Sequence, residues 1–198
     1  MSFTQSQTAI DGGFLDPAFD AQGVFARLLT AISRPGTVVD LGVCCRSPAP
    51  LSMAQGALLL AIADGDTPVF VEEGSEAMAE WLAFHTGARI GEPSEAQFAI
   101  VSRPSREWLE RLPLGTLAYP DRSATVLVEV ESLKDGHSFT LEGPGINGTS
   151  RIVLAGLLDD FAEFRKANHA LFPCGLDLVF TCGSELLALP RSTIVTEV

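Results

Sequence analysis

At 198 residues, with 46% hydrophobic and only 19% charged residues, the chain has material for one domain with a full core and less polar surface than a typical globular protein. Its formal charge of −12 repels a phosphate backbone and speaks against nucleic-acid binding, while a small anion held by a few clustered arginines stays within reach. The start "MSFTQSQTAIDGG" has no signal-peptide pattern, and the longest apolar run, Ala57 to Ala63, falls far short of the roughly 20 residues that cross a bilayer, so no membrane contact and a cytoplasmic location are expected.

In chain order, residues 1–18 read as a loosely ordered N-terminal segment of a single domain spanning 1–198. "DPAFDAQGVFARLLTAISRPGT" then predicts a helix with Asp20 as N-cap, Val24, Phe25, Leu28, Leu29 and Ile32 at helical spacing, and Pro35-Gly36 as its stop. After a short strand in "TVVDLGV", a second helix starts near Ser52 and stops at Gly65; it is apolar on so many faces that burial is expected. Strand "TPVFVEE" leads to helix "SEAMAEWLAFHTGA", with Met78, Trp81, Leu82 and His85 on one side and Gly87 as its stop.

Strand "QFAIVSR", a short helix "SREWLERL" and the turn "PLGTLAYPDRS" follow. "ATVLVEVESL" and "SFTLEG" flank "KDGH", where Asp135-Gly136 predicts a hairpin because both residues accept positive φ. A helix near "LLDDFAEFRKANHA" precedes "LDLVFTC" and "ELLALP", which surround Gly183-Ser184 as another hairpin. Early alternation of helix and strand with late hairpins predicts an α/β fold: three layers, αβα, around a mixed sheet.

Chemistry-bearing residues are sparse. "GPGING", Gly143 to Gly148, fits G-x-G-x-x-G but lacks the helix that must follow it directly, so a glycine-rich turn is the better reading. Asp64 and Asp66 in "ADGDTP" fit a turn better than a carboxylate pair. Cys44, Cys45, Cys174 and Cys182 lack zinc-knuckle spacing, so no metal is expected and the thiols read as small core residues. Of the three histidines, His85 stands out, because "FHTGA" brings imidazole, hydroxyl and glycine to a helix exit. Arg191 in "LPRST" should emerge at a sheet edge, where its fork suits either a ligand's carboxylate or phosphate, or an acidic residue across a subunit contact.

The ordered set "FARLLTAISRPGTV", "LLLAIADGDTPV", "FHTGA", "SATVLVEVESL", "LEGPGI" and "FPCGLDLVFTCGSELLALPRST" resembles the PhnH family, the H subunits of the bacterial carbon–phosphorus lyase system, over nearly the whole chain from about Phe19 to Val195. The resemblance implies a fold like the large domain of pyridoxal-phosphate transferases but without the cofactor, a homodimer, and partners among the G, I and J subunits. It also implies a non-catalytic part in forming alpha-D-ribose 1-methylphosphonate 5-triphosphate from ATP and methylphosphonate, with no catalytic residue to carry over. Independently, neither Lys134 beside a turn nor Lys166 in "EFRKANHA" suits a Schiff base. The competing expectation is an enzyme in its own right, holding a phosphonate or nucleotide with Arg34, His85, Thr86 and Arg191.

Overall fold

The structure, a computed structural model, describes residues 9–42 and 45–198. Helix α1 (Pro17–Ser33) is capped by Asp16, which accepts from Phe19 N–H, while Asp20 accepts from Asp16 N–H at 3.0 Å. The cap expected at Asp20 thus sits four residues earlier. Pro17 explains the shift, since a proline fits the first helical position, where no N–H is needed. Helix α2 (Met53–Ile62) follows strand β1 (Val39–Asp40) and begins with a capping box between Ser52 and Gln55. Helix α3 (Glu76–Thr86) is capped by Ser75 and ends at Gly87, whose φ of 76° is the left-handed geometry that glycine adopts without strain.

The main sheet has six strands in the order β1-β8-β7-β4-β3-β2. Strands β2 (Val69–Val71), β3 (Phe98–Ile100), β4 (Thr125–Glu129) and β7 (Asp177–Cys182) run parallel. Strand β8 (Glu185–Leu189) returns antiparallel to β7 through Gly183-Ser184, the expected hairpin, and β1 pairs antiparallel with β8 at the edge. A second, three-stranded antiparallel sheet orders β6 (Ser150–Ala155), β5 (Ser132–Glu142) and β9 (Ile194–Glu197). The fold is therefore mixed α/β.

Alternation along the central strands divides the core in two. Leu127, Val179, Leu186 and Ala188 pack with α1, α2 and α3 on one face. Val126, Val128, Leu178, Phe180, Leu187 and Leu189 point the other way, against helices α4 (Arg106–Arg111) and α5 (Phe161–His169) and the small sheet. That second outer layer is therefore part strand, where helices alone were expected. Phe161 seals it, edge-on to Phe180 at 5.7 Å and to Phe139 of β5 at 5.3 Å between ring centroids; a buried phenyl of this kind contributes roughly 2 to 3 kcal/mol.

The hairpin expected at Asp135-Gly136 does not form. Strands β4 and β5 belong to different sheets, and Asp135-Gly136 lies within β5 in a bulge, where the register against β6 slips between Ser132 and His137. Gly136 has φ 112°, and a Cβ there would come within 2.4 Å of the Leu154 carbonyl oxygen. A bulge thus needs the same glycine as a turn. The actual β5–β6 connection is the "GPGING" loop, in which Gly143, Gly145 and Gly148 all have positive φ, in keeping with the turn reading. Asp64 likewise serves a turn: it accepts from Asp66 N–H at 3.0 Å and Thr67 Oγ1–H at 2.6 Å, and those two bonds hold its carboxyl below the ordinary value.

From β2 the chain crosses by α3 on one face to Ile90, which bridges in parallel to Val69 at the outer edge of the sheet, and from β3 it crosses by α4 on the other face inward to β4. Opposite steps on opposite faces give the two crossovers the same hand, in keeping with the usual rule. Among the described residues, no helix is long and apolar enough to cross a membrane.

Candidate functional site

Helix α1 carries two apolar stripes. Val24, Leu28 and Ala31 enter the core, whereas Phe25, Leu29 and Ile32, spaced i, i+4, i+7, face outward at 46, 48 and 40% exposure. Between α1 and α2 opens a groove of about 450 Å3, floored by Leu127 and Val179 of the sheet and apolar throughout except for Thr125. Leu60, Ala61 and Ile62 of α2 are only partly buried beside the same core, so the helix expected to be buried on all sides is open along one end. A contiguous apolar face of this kind marks an interaction surface.

The four residues expected to hold a ligand are not brought together. Arg191 directs its fork at Asp177 of its own chain: Nε donates to Oδ1 at 3.1 Å, Nη2 donates to Oδ2, and Nη1 donates to the Pro120 and Pro173 carbonyls. The carboxylate it clamps is thus neither a ligand's nor one across a subunit contact. Thr86 Oγ1 donates to the Leu82 carbonyl at 2.7 Å and accepts from Ala88 N–H at 3.0 Å, which closes the end of α3. Arg34 caps α1 through its backbone and is exposed.

His85 differs. Its ring lies 5.1 Å from Trp81 and edge-on to Phe84 at 5.0 Å, and its buried Nε2 has no hydrogen-bond partner among the described residues. Of the N-terminal segment expected to be loosely ordered, residues 9–16 run past this ring; Trp81 Nε1 donates to the Asp11 carbonyl and Arg46 N–H to that of Gly12. Gly13 has to be glycine, because a Cβ there would come within 2.5 Å of the imidazole. The result is an open cavity of about 520 Å3 bordered by Gly12, Gly13, Cys45, Arg46 and His85. Nothing local in the sequence points to Arg46, which borders the same cavity as His85 through the packing of the N-terminal segment.

The family described as "Bacterial phosphonate metabolism protein (PhnH)" matches residues 12–196. The chain belongs to the PhnH family. A relative from Rhizobium meliloti, named "Alpha-D-ribose 1-methylphosphonate 5-triphosphate synthase subunit PhnH", is 40% identical over 194 residues, covering 96% of this chain and 97% of the relative. A second, the "Putative C-P lyase subunit protein HtxG" of Stutzerimonas stutzeri, is 30% identical over 174 residues, covering 87% and 84%.

Within the PhnH family fold the thiols described sit as packing residues. Cys45 is buried; Cys174 and Cys182 are half-buried and unlinked, while Cys44 lies outside the described residues. Burial pushes the Cys182 thiol up, and the Glu129 and Glu185 carboxylates add to the effect. Since the thiolate is the nucleophile, alkylation of Cys182 at neutral pH should be slower than that of a free thiol. Cys182→Ala is expected to cost about 1 kcal/mol, read by denaturant unfolding, with phosphonate-dependent growth retained. Abolished growth with a normal unfolding midpoint would give the thiol a chemical role.

Proposed function

We propose that this protein is a non-catalytic structural subunit of the carbon–phosphorus lyase system, cytoplasmic and built as one domain, that assists formation of alpha-D-ribose 1-methylphosphonate 5-triphosphate from ATP and methylphosphonate. The observation that carries this reading is the uncovered α1–α2 face: Phe25, Leu29 and Ile32 beside an apolar groove. Support also comes from Arg191 and Thr86, whose polar groups are engaged within the chain, and from the subunit names of the two relatives. On this reading a second copy of the chain covers the α1–α2 face of the free protein, as a homodimer, and the G, I and J subunits complete the assembly. The likeness to pyridoxal-phosphate transferases stays part of the proposal and concerns the fold alone.

A second reading, an independent enzyme for a phosphonate or nucleotide, is favoured by one observation, the cavity that His85 and Arg46 border together. Co-purification separates the two. Tagged protein drawn from its host, grown on methylphosphonate as sole phosphorus source, is expected to bring the G, I and J subunits at fixed stoichiometry. Recovery of homodimer alone while those partners are expressed, or turnover of ATP and methylphosphonate by the isolated chain, would overturn the structural-subunit reading.

A further inference from the structure

The carboxyl ends of β2, β3 and β4 carry a crevice of about 150 Å3, apart from the His85 cavity and the α1–α2 groove. Its place follows from the topology. After β2 the chain turns to α3 on one face, and after β3 to α4 on the other, so the two exit loops part. In open α/β sheets such a parting at the carboxyl ends is where ligands settle.

Three side chains define the chemistry. Glu72 Oε2 accepts from Ser102 N–H at 2.7 Å and Ser102 Oγ–H at 2.8 Å, which orients the carboxylate and leaves Oε1 without a donor among the described residues. Glu129, at the end of β4, is held by the Thr181 hydroxyl and by Gly183 N–H at 3.1 Å. Neither carboxylate has a cationic side chain within ion-pair distance among the described residues.

Gln55 decides between ligand classes. It lines the crevice and is 2% exposed. Its Oε1 accepts from Ser52 N–H at 3.2 Å, and its backbone N–H donates to Ser52 Oγ at 3.3 Å, so the capping box fixes which end of the amide is which. Nε2 is left with no hydrogen-bond partner among the described residues. Although the residue is buried, this nitrogen is not sealed off, so an acceptor that enters the crevice from outside the chain can reach it. A bare cation would suit the carboxylates but confront the amide N–H groups. A phosphate would suit the amide but face two unpaired carboxylates. A hydroxyl both donates and accepts, and so meets all three groups.

We propose that this crevice binds a small neutral sugar or polyol through a vicinal diol, with one hydroxyl oxygen accepting from Gln55 Nε2 and the hydroxyl protons donated to Glu72 and Glu129. The volume, below that of sites for drug-sized ligands, admits a single sugar ring. The site is independent of whether the chain is catalytic.

Nitrogen-15 NMR of the full chain provides the test, with methyl β-D-ribofuranoside (the ribose probe), its 2-deoxy analogue, which has no vicinal diol, magnesium chloride and inorganic phosphate as separate titrants. The ribose probe is expected to shift the Gln55 side-chain amide and the Ser102 and Gly183 backbone amides saturably, with the 2-deoxy analogue about tenfold weaker for want of one charge-assisted hydrogen bond. Glu72→Gln should weaken binding of the ribose probe about tenfold, whereas Asp66→Asn, in the turn before β2, should leave it unchanged. Equal binding of the two sugars, no shift with the ribose probe, or the same amides moving with magnesium or phosphate instead would each overturn the proposal. The sugar comparison needs no variant, so the inference stays testable even if Glu72→Gln does not fold.

Discussion

Arg191→Ala is expected to lower stability by about 2 to 3 kcal/mol, which in a chain of this size is a fall of about 5 to 10 °C in the calorimetric midpoint. The ion pair with Asp177 is neither a solvated one, worth under about 1 kcal/mol, nor a fully buried one, whose breaking costs about 3 to 5 kcal/mol; the two side chains are 15 and 30% exposed. Beyond the pair, Arg191 Nη1 donates to the Pro120 and Pro173 carbonyls, so truncation unties two loops as well. Asp177 has a second cation nearby. The guanidinium of Arg165 is fully buried, donates to the Pro190 and Thr193 carbonyls, and is pushed down to about 10 by burial, with Asp177 pulling the other way. Arg191→Lys should recover less than half of the loss, because an ammonium cannot span both carboxylate oxygens and a carbonyl in fixed geometry. A midpoint within about 2 °C of the parent would mean that the clamp is not structural.

The double substitution Phe25→Asp, Leu29→Asp should weaken self-association on the order of a thousandfold, converting a dimer into a monomer in light scattering at micromolar concentration. Each aspartate places a charge in an apolar contact and removes a large apolar side chain, an interface loss of about 2 kcal/mol or more apiece. The helix itself should survive, since Val24, Leu28 and Ala31 make its buried stripe and neither variant residue belongs to it. A double variant that remains dimeric would move the interface elsewhere; a parent chain that is monomeric would remove the homodimer.

Features whose cause is local were legible before the structure. Ser52 begins α2, Gly87 ends α3 and Gly183-Ser184 turns the β7–β8 hairpin, each because a cap or turn depends on a few adjacent residues. Asp135-Gly136 misleads for the same reason: it signals a hairpin but lies in the β5 bulge. Positive φ at a glycine is demanded equally by a turn and by a bulge, and the choice rests on which strands pair, a matter settled by residues 150–155 and 194–197 rather than by the dipeptide. Asp16 rather than Asp20 caps α1 because a proline at position 17 fits the first helical residue, a signal that outranks the acidic residue further on.

The candidate site followed the same division. The fork of Arg191 points to a ligand's carboxylate or phosphate, or to an acidic residue across a subunit contact, but its partner is Asp177 of the same chain, fourteen residues away in the sequence and adjacent only once β7 and β8 pair. Arg46 beside His85 had no sequence signal. Gln55 did have one, as the third residue of a capping box, but that signal concerns the helix; the unused end of its amide becomes visible only when the ends of β2, β3 and β4 are seen to enclose it.

The order of the main sheet also bears on how the chain is made. Its edge strand β1 pairs Val39 with Leu186, and α1 packs on β8 as well as on α2, so the first strand and one side of the first helix are covered only by the last fifth of the sequence. Central strands β4 and β7 are likewise separated by β5, β6 and α5. Such long-range pairing slows folding, since the entropy of loop closure is lost before the contacts form. During synthesis from the N-terminus, α1 and α2 must leave the ribosome with their apolar faces uncovered and wait for β7 and β8. In that interval the nascent chain exposes both the stripe that will enter its own core and the stripe that will remain outside, and it is then that chaperone binding competes with aggregation.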